Sequence, residues 1–328
     1  MTSTAMPAAT SAVAEHKRRT ILAIIMTCTA YAAFNIGDAG IKVLAQKFGW
    51  AQIMVVNGVM IIAIMVLYGA ITQGRAAFKV HNPKWVFIRS IFATCTTIAN
   101  IICLPHITLT TFYTLVFTSP FWVAILSAIF MGEKLEPRRM TVIFFGFCVI
   151  AYILRPGSDI FSLWSFLALG SAFLYSCSVL TIRYLGTRES RVMIISTGSA
   201  LGVLVTLPFI SGDWVSMSLW DVLLFADMAL VGAIGILCIT HAFQTAPSAA
   251  VIAPFHYTQM VWGALLGYFL FKEIPGMSTM VGGGLLILGG LCLIYLESKA
   301  RPDALSDPAR AQGWFSRLRA YNPTQKSL

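Results

Sequence analysis

The sequence predicts an all-α integral membrane protein of ten transmembrane helices, arranged as two inverted five-helix repeats. Three observations carry this expectation. Hydrophobic residues make up 58% of the 328 and charged residues only 11%, against roughly 45–50% and about 25% in soluble domains. Ten apolar stretches are long enough to cross a bilayer, and a residue pattern recurs at an offset of about 140 positions.

A membrane-crossing helix needs about 20 mainly apolar residues. Stretches of that kind begin near Thr20, Ala51, Val86, Leu109 and Met140. The run from Arg155 to Asp159 interrupts the pattern, and a second set begins near Phe161, Val192, Leu219, Pro247 and Met277, ending near Glu297. Backbone polar groups must be satisfied internally in lipid, so such spans are helices or barrel strands, and these are too long and uniformly apolar for strands. The expected organisation is an N-terminal tail (1–19), a first repeat (20–155), a second repeat (161–297) and a C-terminal tail (298–328). The first tail, rich in Ala, Ser and Thr, reads as a polar lead into a helix rather than a cleaved signal. In the second, Trp314, Phe315 and Leu318 alternate with Arg310, Arg317 and Arg319, which fits a short interfacial helix or a disordered tail equally.

The net charge of +10 could suggest nucleic acid, but the basic residues fall between apolar spans and form no patch. They sort by side instead. With the N-terminus cytoplasmic, eighteen Lys and Arg lie on the inner side and four (Lys42, Lys47, Arg155, Lys272) on the outer side. The positive-inside rule therefore places both termini in the cytoplasm of a multi-pass plasma (bacterial inner) membrane protein. The seven cysteines sit inside apolar stretches with no CxxC and no histidine cluster, as buried apolar residues do.

The repeat is visible without gaps. Aligning Tyr113–Glu133 with Ala253–Glu273 superposes Thr118 on Thr258, Trp122 on Trp262, Ala124 on Ala264, Leu126 on Leu266 and Glu133 on Glu273. Nearly the same offset carries Met140 onto Met280 and Lys42 onto Arg183. Because each half has an odd number of helices, the second enters the membrane from the opposite side. Inverted repeats of this kind are the architecture of secondary transporters, with the site near the midplane between the halves.

The residues from Arg89 to Arg155, above all SPFWVAILSAIFMGEKL (Ser119–Leu135), and the stretch YTQMVWGALLGYFLFKEIPG (Tyr257–Gly276) resemble the drug/metabolite transporter superfamily, in its ten-helix EamA-type branch. Pro120 and Glu133 match that family's pattern of a fourth-helix proline followed by apolar residues and a terminal glutamate. The second copy departs from it, with Met260 in the proline's place and Pro254 earlier. The resemblance spans about Thr20 to Glu297 and implies transport of a small organic solute, import or export. Family members handle amino acids and their derivatives, vitamins such as riboflavin, S-adenosylmethionine, sugars or toxic cations, so the cargo stays open.

Two of the thirteen acidic residues lie well inside spans, Asp38 and Asp227. A carboxylate there costs roughly 2.5–3.5 kcal/mol on insertion scales, which favours facing a cavity or a partner. Either could couple protons or hold a cationic group; Asp38 could instead pair with Lys42 one turn on. His256, Tyr257 and Gln259 offer donors, acceptors and aromatic faces near mid-bilayer, while Asn35 and Asn100 serve as ligand contacts or interhelical bonds. Tyr113, Phe117, Trp122 and Tyr175 could stack a planar solute or simply pack. Arg89, near the inner end of its helix, is expected to snorkel or gate, and Glu133 and Glu273 to cap or gate beside Lys134 and Lys272. Gly263 and Gly267 suit close helix packing.

No HExxH, GxSxG or GxxxxGK[ST] occurs, so zinc proteolysis, serine hydrolysis and ATP-driven transport lack support. The rivals to a carrier are a channel and an intramembrane aspartyl-protease-like enzyme using Asp38 and Asp227, though Asn35-Ile-Gly-Asp38 lacks the first glycine of a GxGD motif. The expected partners are a small-molecule substrate and the bilayer, with no cofactor, metal or nucleic acid, and with homodimerisation left open.

Overall fold

A computed structural model describes residues 6–131, 137–154, 161–210, 214–246, 255–256 and 258–299. Eleven α-helices and no strand occur among them. They are α1 Met6–Leu44, α2 Trp50–Thr72, α3 Pro83–Cys103, α4 Leu109–Val116, α5 Ser119–Met131, α6 Pro137–Ile153, α7 Leu163–Leu185, α8 Arg191–Thr206, α9 Leu219–Thr245, α10 Thr258–Phe271 and α11 Met277–Lys299. Seven stretches are long and apolar enough to cross a membrane, and Met140–Tyr152, Thr258–Phe271 and Thr279–Gly289 are shorter apolar helices. Large side chains such as Ile71, Leu163, Phe269 and Trp220 stand on the outer surface, as lipid contact requires. The protein is a ten-span membrane bundle.

Except at the first span and the ninth, whose expected start at Pro247 lies outside the described residues, starts agree with expectation within a few residues, and side-chain caps mark several. Ser162, Ser190 and Ser218 each accept a bond from a backbone N–H in the first turn of α7, α8 and α9. Two expectations need correction. The first helix begins at Met6, ahead of Thr20, because Ala8, Ala9, Ala12 and Ala14 are strong helix formers. The fourth span is also broken, into α4 and α5, around Phe117 and Thr118.

That break has a local cause. Pro120 has no N–H to give the carbonyl of Val116, and the Ser119 hydroxyl donates to that carbonyl at 2.6 Å. The Thr118 hydroxyl likewise donates to Leu115 O at 2.8 Å. Hydroxyl side chains re-satisfying a freed backbone are what make broken helices tolerable in a membrane. The repeat mate, Thr258, opens α10 and donates to Phe255 O at 2.6 Å. The ninth span thus carries the same hydroxyl–carbonyl bond at the matching position without a proline there.

Helix pairing crosses between the halves. Helix α1 packs along α9 and α3 along α7, α2 along α8, α6 along α11 and α4 along α10; α1 also meets α10, as α7 meets α4 and α5. Exchanging each span with its counterpart five spans on converts the first pair into the second and leaves the next three unchanged. A pseudo-two-fold axis therefore runs between the halves. At Gly263 a Cβ would lie 2.3 Å from the Tyr113 ring, so α10 seats on α4 only through a glycine.

Candidate functional site

A cavity of about 230 Å³ lies between the halves, lined from α1, α2, α3, α4, α7, α8 and α9 together with His256 and Gln259. Its wall mixes apolar and polar side chains, and several of the polar ones keep an atom without a partner. Asp38 stands on α1, and its carboxylate accepts a 2.8 Å bond from the Tyr113 hydroxyl. A hydrogen bond to a charged group is worth about 1.5–3 kcal/mol. That only about matches the insertion cost of the charge and leaves the rest of the carboxylate for water or a solute. The alternative pairing with Lys42 is not formed: Lys42 reaches Glu273 instead.

Arg89 is 7% exposed and lines the cavity. It does not snorkel. Its Nη1 donates to Ile194 O at 2.7 Å across to α8, and its Nε has no partner. His256 Nδ1 lies 2.9 Å from the Tyr31 hydroxyl while Nε2 is unpartnered. The rings of Tyr31, Phe117 and Tyr175 surround that imidazole, with centroids 4.7, 6.0 and 6.0 Å away. Asn100 and Gln259 also line the cavity, and the side-chain oxygen of each is buried without a partner.

Other expected residues sit elsewhere. Asn35 is fully buried, donating to Tyr31 O at 2.8 Å, with Oδ1 unpartnered close to Gly263. Tyr113 and Phe117 are fully buried behind the cavity wall, and Trp122 packs edge-on against Phe147 and Phe173. Asp227 is exposed on the outside of α9. Met228, Gly232, Ile236 and Ile239 of that helix line the cavity. The 100° advance per residue puts Asp227 on the Leu223–Leu230–Ile234 face, which is exposed. The two aspartates therefore do not form the dyad an aspartyl protease needs. Glu133 and Tyr257 lie outside the described residues.

The end of the bundle beyond Asp38 is tied shut between halves. Lys42 forms an ion pair with Glu273, donates to Ile107 O at 2.7 Å and lies over the Phe271 ring. The other oxygen of Glu273 accepts from the Leu109 N–H at 2.9 Å. Glu273 is thus a cross-half tie and not a cap beside Lys272. Nearby, Lys47 pairs with Asp221, Gln52 exchanges two bonds with the Val215 backbone, and His106 stacks on Trp164 at 3.9 Å. At the opposite end, Glu189 is 2% exposed and accepts from the backbone N–H groups of His81 and Asn82 at the start of α3. Glu189 and Lys47 occupy matching loops of the two repeats, so each end carries a related tie.

Sequence reasoning missed Asn57, Tyr31 and Glu189. Asn57 lines the cavity with an unpartnered Oδ1. An amide inside an apolar span is a signal of the same kind as Asn35 and Asn100. Glu189, between Arg188 and Arg191 in a loop, gave no such signal.

Residues 162–296 match the EamA-like transporter family. The second half of the chain is thus similar to an EamA-like domain. Among curated proteins, a Rickettsia bellii S-adenosylmethionine uptake transporter is 23% identical, over 73% of this chain and 81% of its own length. A Pseudomonas aeruginosa pseudopaline exporter is 25% identical, over 82% and 95%. A Brucella anthropi riboflavin transporter is 25% identical, over 84% and 98%. A solved crystal structure superposes with a TM-score of 0.60 at 14% identity, covering 87% of this chain and 99% of that one, and shows the shared fold.

Proposed function

We propose that the chain is a secondary carrier for a small organic metabolite, an amino acid or derivative or a vitamin of the riboflavin kind, working by alternating access across the bacterial inner membrane. The observation that carries this reading is the cavity between the halves, walled in part by polar side chains that keep an atom without a partner, and tied shut on the Asp38 side. Residues 20–155 and 161–297 form the two repeats, and both termini are cytoplasmic on the charge asymmetry. Inverted repeats give one fold two conformations of similar energy, in which the ties at the two ends break alternately. Asp38 is the coupling group if protons drive the cycle. The relatives include a named uptake transporter and a named exporter, so direction and cargo come from experiment.

Comparing metabolites in cells with and without the protein identifies the cargo and its direction. Counterflow of that labelled solute in proteoliposomes then tests the mechanism. A carrier saturates with concentration and shows accelerated exchange. Flux that rises without limit would make the cavity a channel, and absence of any solute-dependent flux would remove the transport reading.

A further inference from the structure

We infer that the cavity takes an extended zwitterion, with its cationic group at Asp38 and its anionic group at Arg89. The inference rests on the cavity being the solute site of the proposed carrier. Among the described residues lining the cavity, these two carry the only formal charges. They lie toward opposite ends. Asp38 comes six residues before the end of α1 at Leu44, and Arg89 six residues after the start of α3 at Pro83. At 1.5 Å per residue each is about 9 Å in from its end of a bundle about 30 Å deep, leaving roughly 12 Å between them along the axis.

Neither charge is neutralised by the other. Asp38 is bonded by Tyr113, and Arg89 by Ile194 O with Nε left over. Opposite charges held apart in a medium of low dielectric are costly unless each gains a partner. A singly charged solute would satisfy one and leave the other, adding net charge to the interior. A solute with both charges neutralises the pair. Between the two ends, Asn57, Asn100, Gln259 and His256 also line the cavity, and each keeps a buried side-chain atom without a partner. At about 230 Å³ the cavity lies just below the ~300–1,000 Å³ usual for ligand pockets, which suits a small solute.

The probe is 6-aminohexanoate, whose charges stand five methylenes apart. Its controls are 6-acetamidohexanoate, 6-aminohexanamide and the short zwitterion β-alanine. Affinities are read from concentration-dependent thermal stabilisation of the purified full-length chain. The long zwitterion should bind about tenfold or more tighter than each control. Asp38→Asn should erase the preference for amine over acetamide and keep that for carboxylate over carboxamide, and Arg89→Gln the reverse. Asp38→Glu and Arg89→Lys should retain both preferences, which guards against variants that merely misfold. Equal binding of all four compounds, no stabilisation by the zwitterion, or unchanged preferences in Asp38→Asn and Arg89→Gln would each overturn the inference. Saturable counterflow of some solute without these preferences would sink it alone, whereas these preferences without counterflow would sink the transport reading alone.

Discussion

Substituting Asp38→Asn should cut solute counterflow by roughly 10- to 100-fold, the loss expected when a charge-assisted contact goes, while the protein stays folded. Asp38 is the carboxylate on the described cavity wall, and its Tyr113 hydrogen bond at 2.8 Å can be kept by an amide oxygen. Asp227→Asn should leave flux within about twofold, because that side chain lies on the outer face of α9. Measuring both variants with and without an imposed pH gradient separates binding from coupling. A carboxylate that only binds reduces flux in both conditions. One that also carries the proton abolishes the acceleration by the gradient. Wild-type flux in Asp38→Asn would remove this residue from the mechanism.

Gly263→Val should have the largest effect on stability, at least about 1–3 kcal/mol of overpacking cost. An added Cβ lies 2.3 and 2.7 Å from two atoms of the Tyr113 ring, which is fully buried, so the ring can yield only by disturbing its neighbours. Thermal unfolding in detergent reads the loss as a drop of several degrees in Tm. Pushing the ring aside also withdraws its hydroxyl from Asp38, so any folded fraction should transport poorly. Gly170→Ala is the matched control: its added methyl meets nothing within 4 Å, and the better helix former should leave Tm unchanged or slightly raised. Equal melting of Gly263→Val and the parent would mean that α10 is not seated on α4 as described.

How much of this the sequence could reveal differs by residue. Span positions followed from apolar length, because the bilayer sets that length whatever the tertiary contacts. The matching offsets of Thr118 with Thr258 anticipated the paired bonds at the breaks. Pro120 was visible as a residue, but not the break it causes, which depends on the Ser119 and Thr118 hydroxyls taking over the freed carbonyls. Asp227 was the harder case. Helix α9 is apolar all round, so no polar stripe marks which face is inward, and the rotation is set by packing along α1. Lys42 shows the limit of local rules. Its neighbour Asp38 is one turn away, yet it pairs with Glu273, 231 positions on, a choice that exists only once α1 meets the end of α10.

That tie also gives the most direct test of alternating access. In a background lacking the seven native cysteines, Lys42→Cys and Glu273→Cys are joined by a short, reducible bifunctional thiol reagent, and counterflow is measured before and after reduction. A cavity that must open at this end in every cycle predicts that joining the two positions stops flux and that reduction restores it. Undiminished flux with the bridge in place would contradict the account, since solute would then pass without the halves parting where Lys42 meets Glu273.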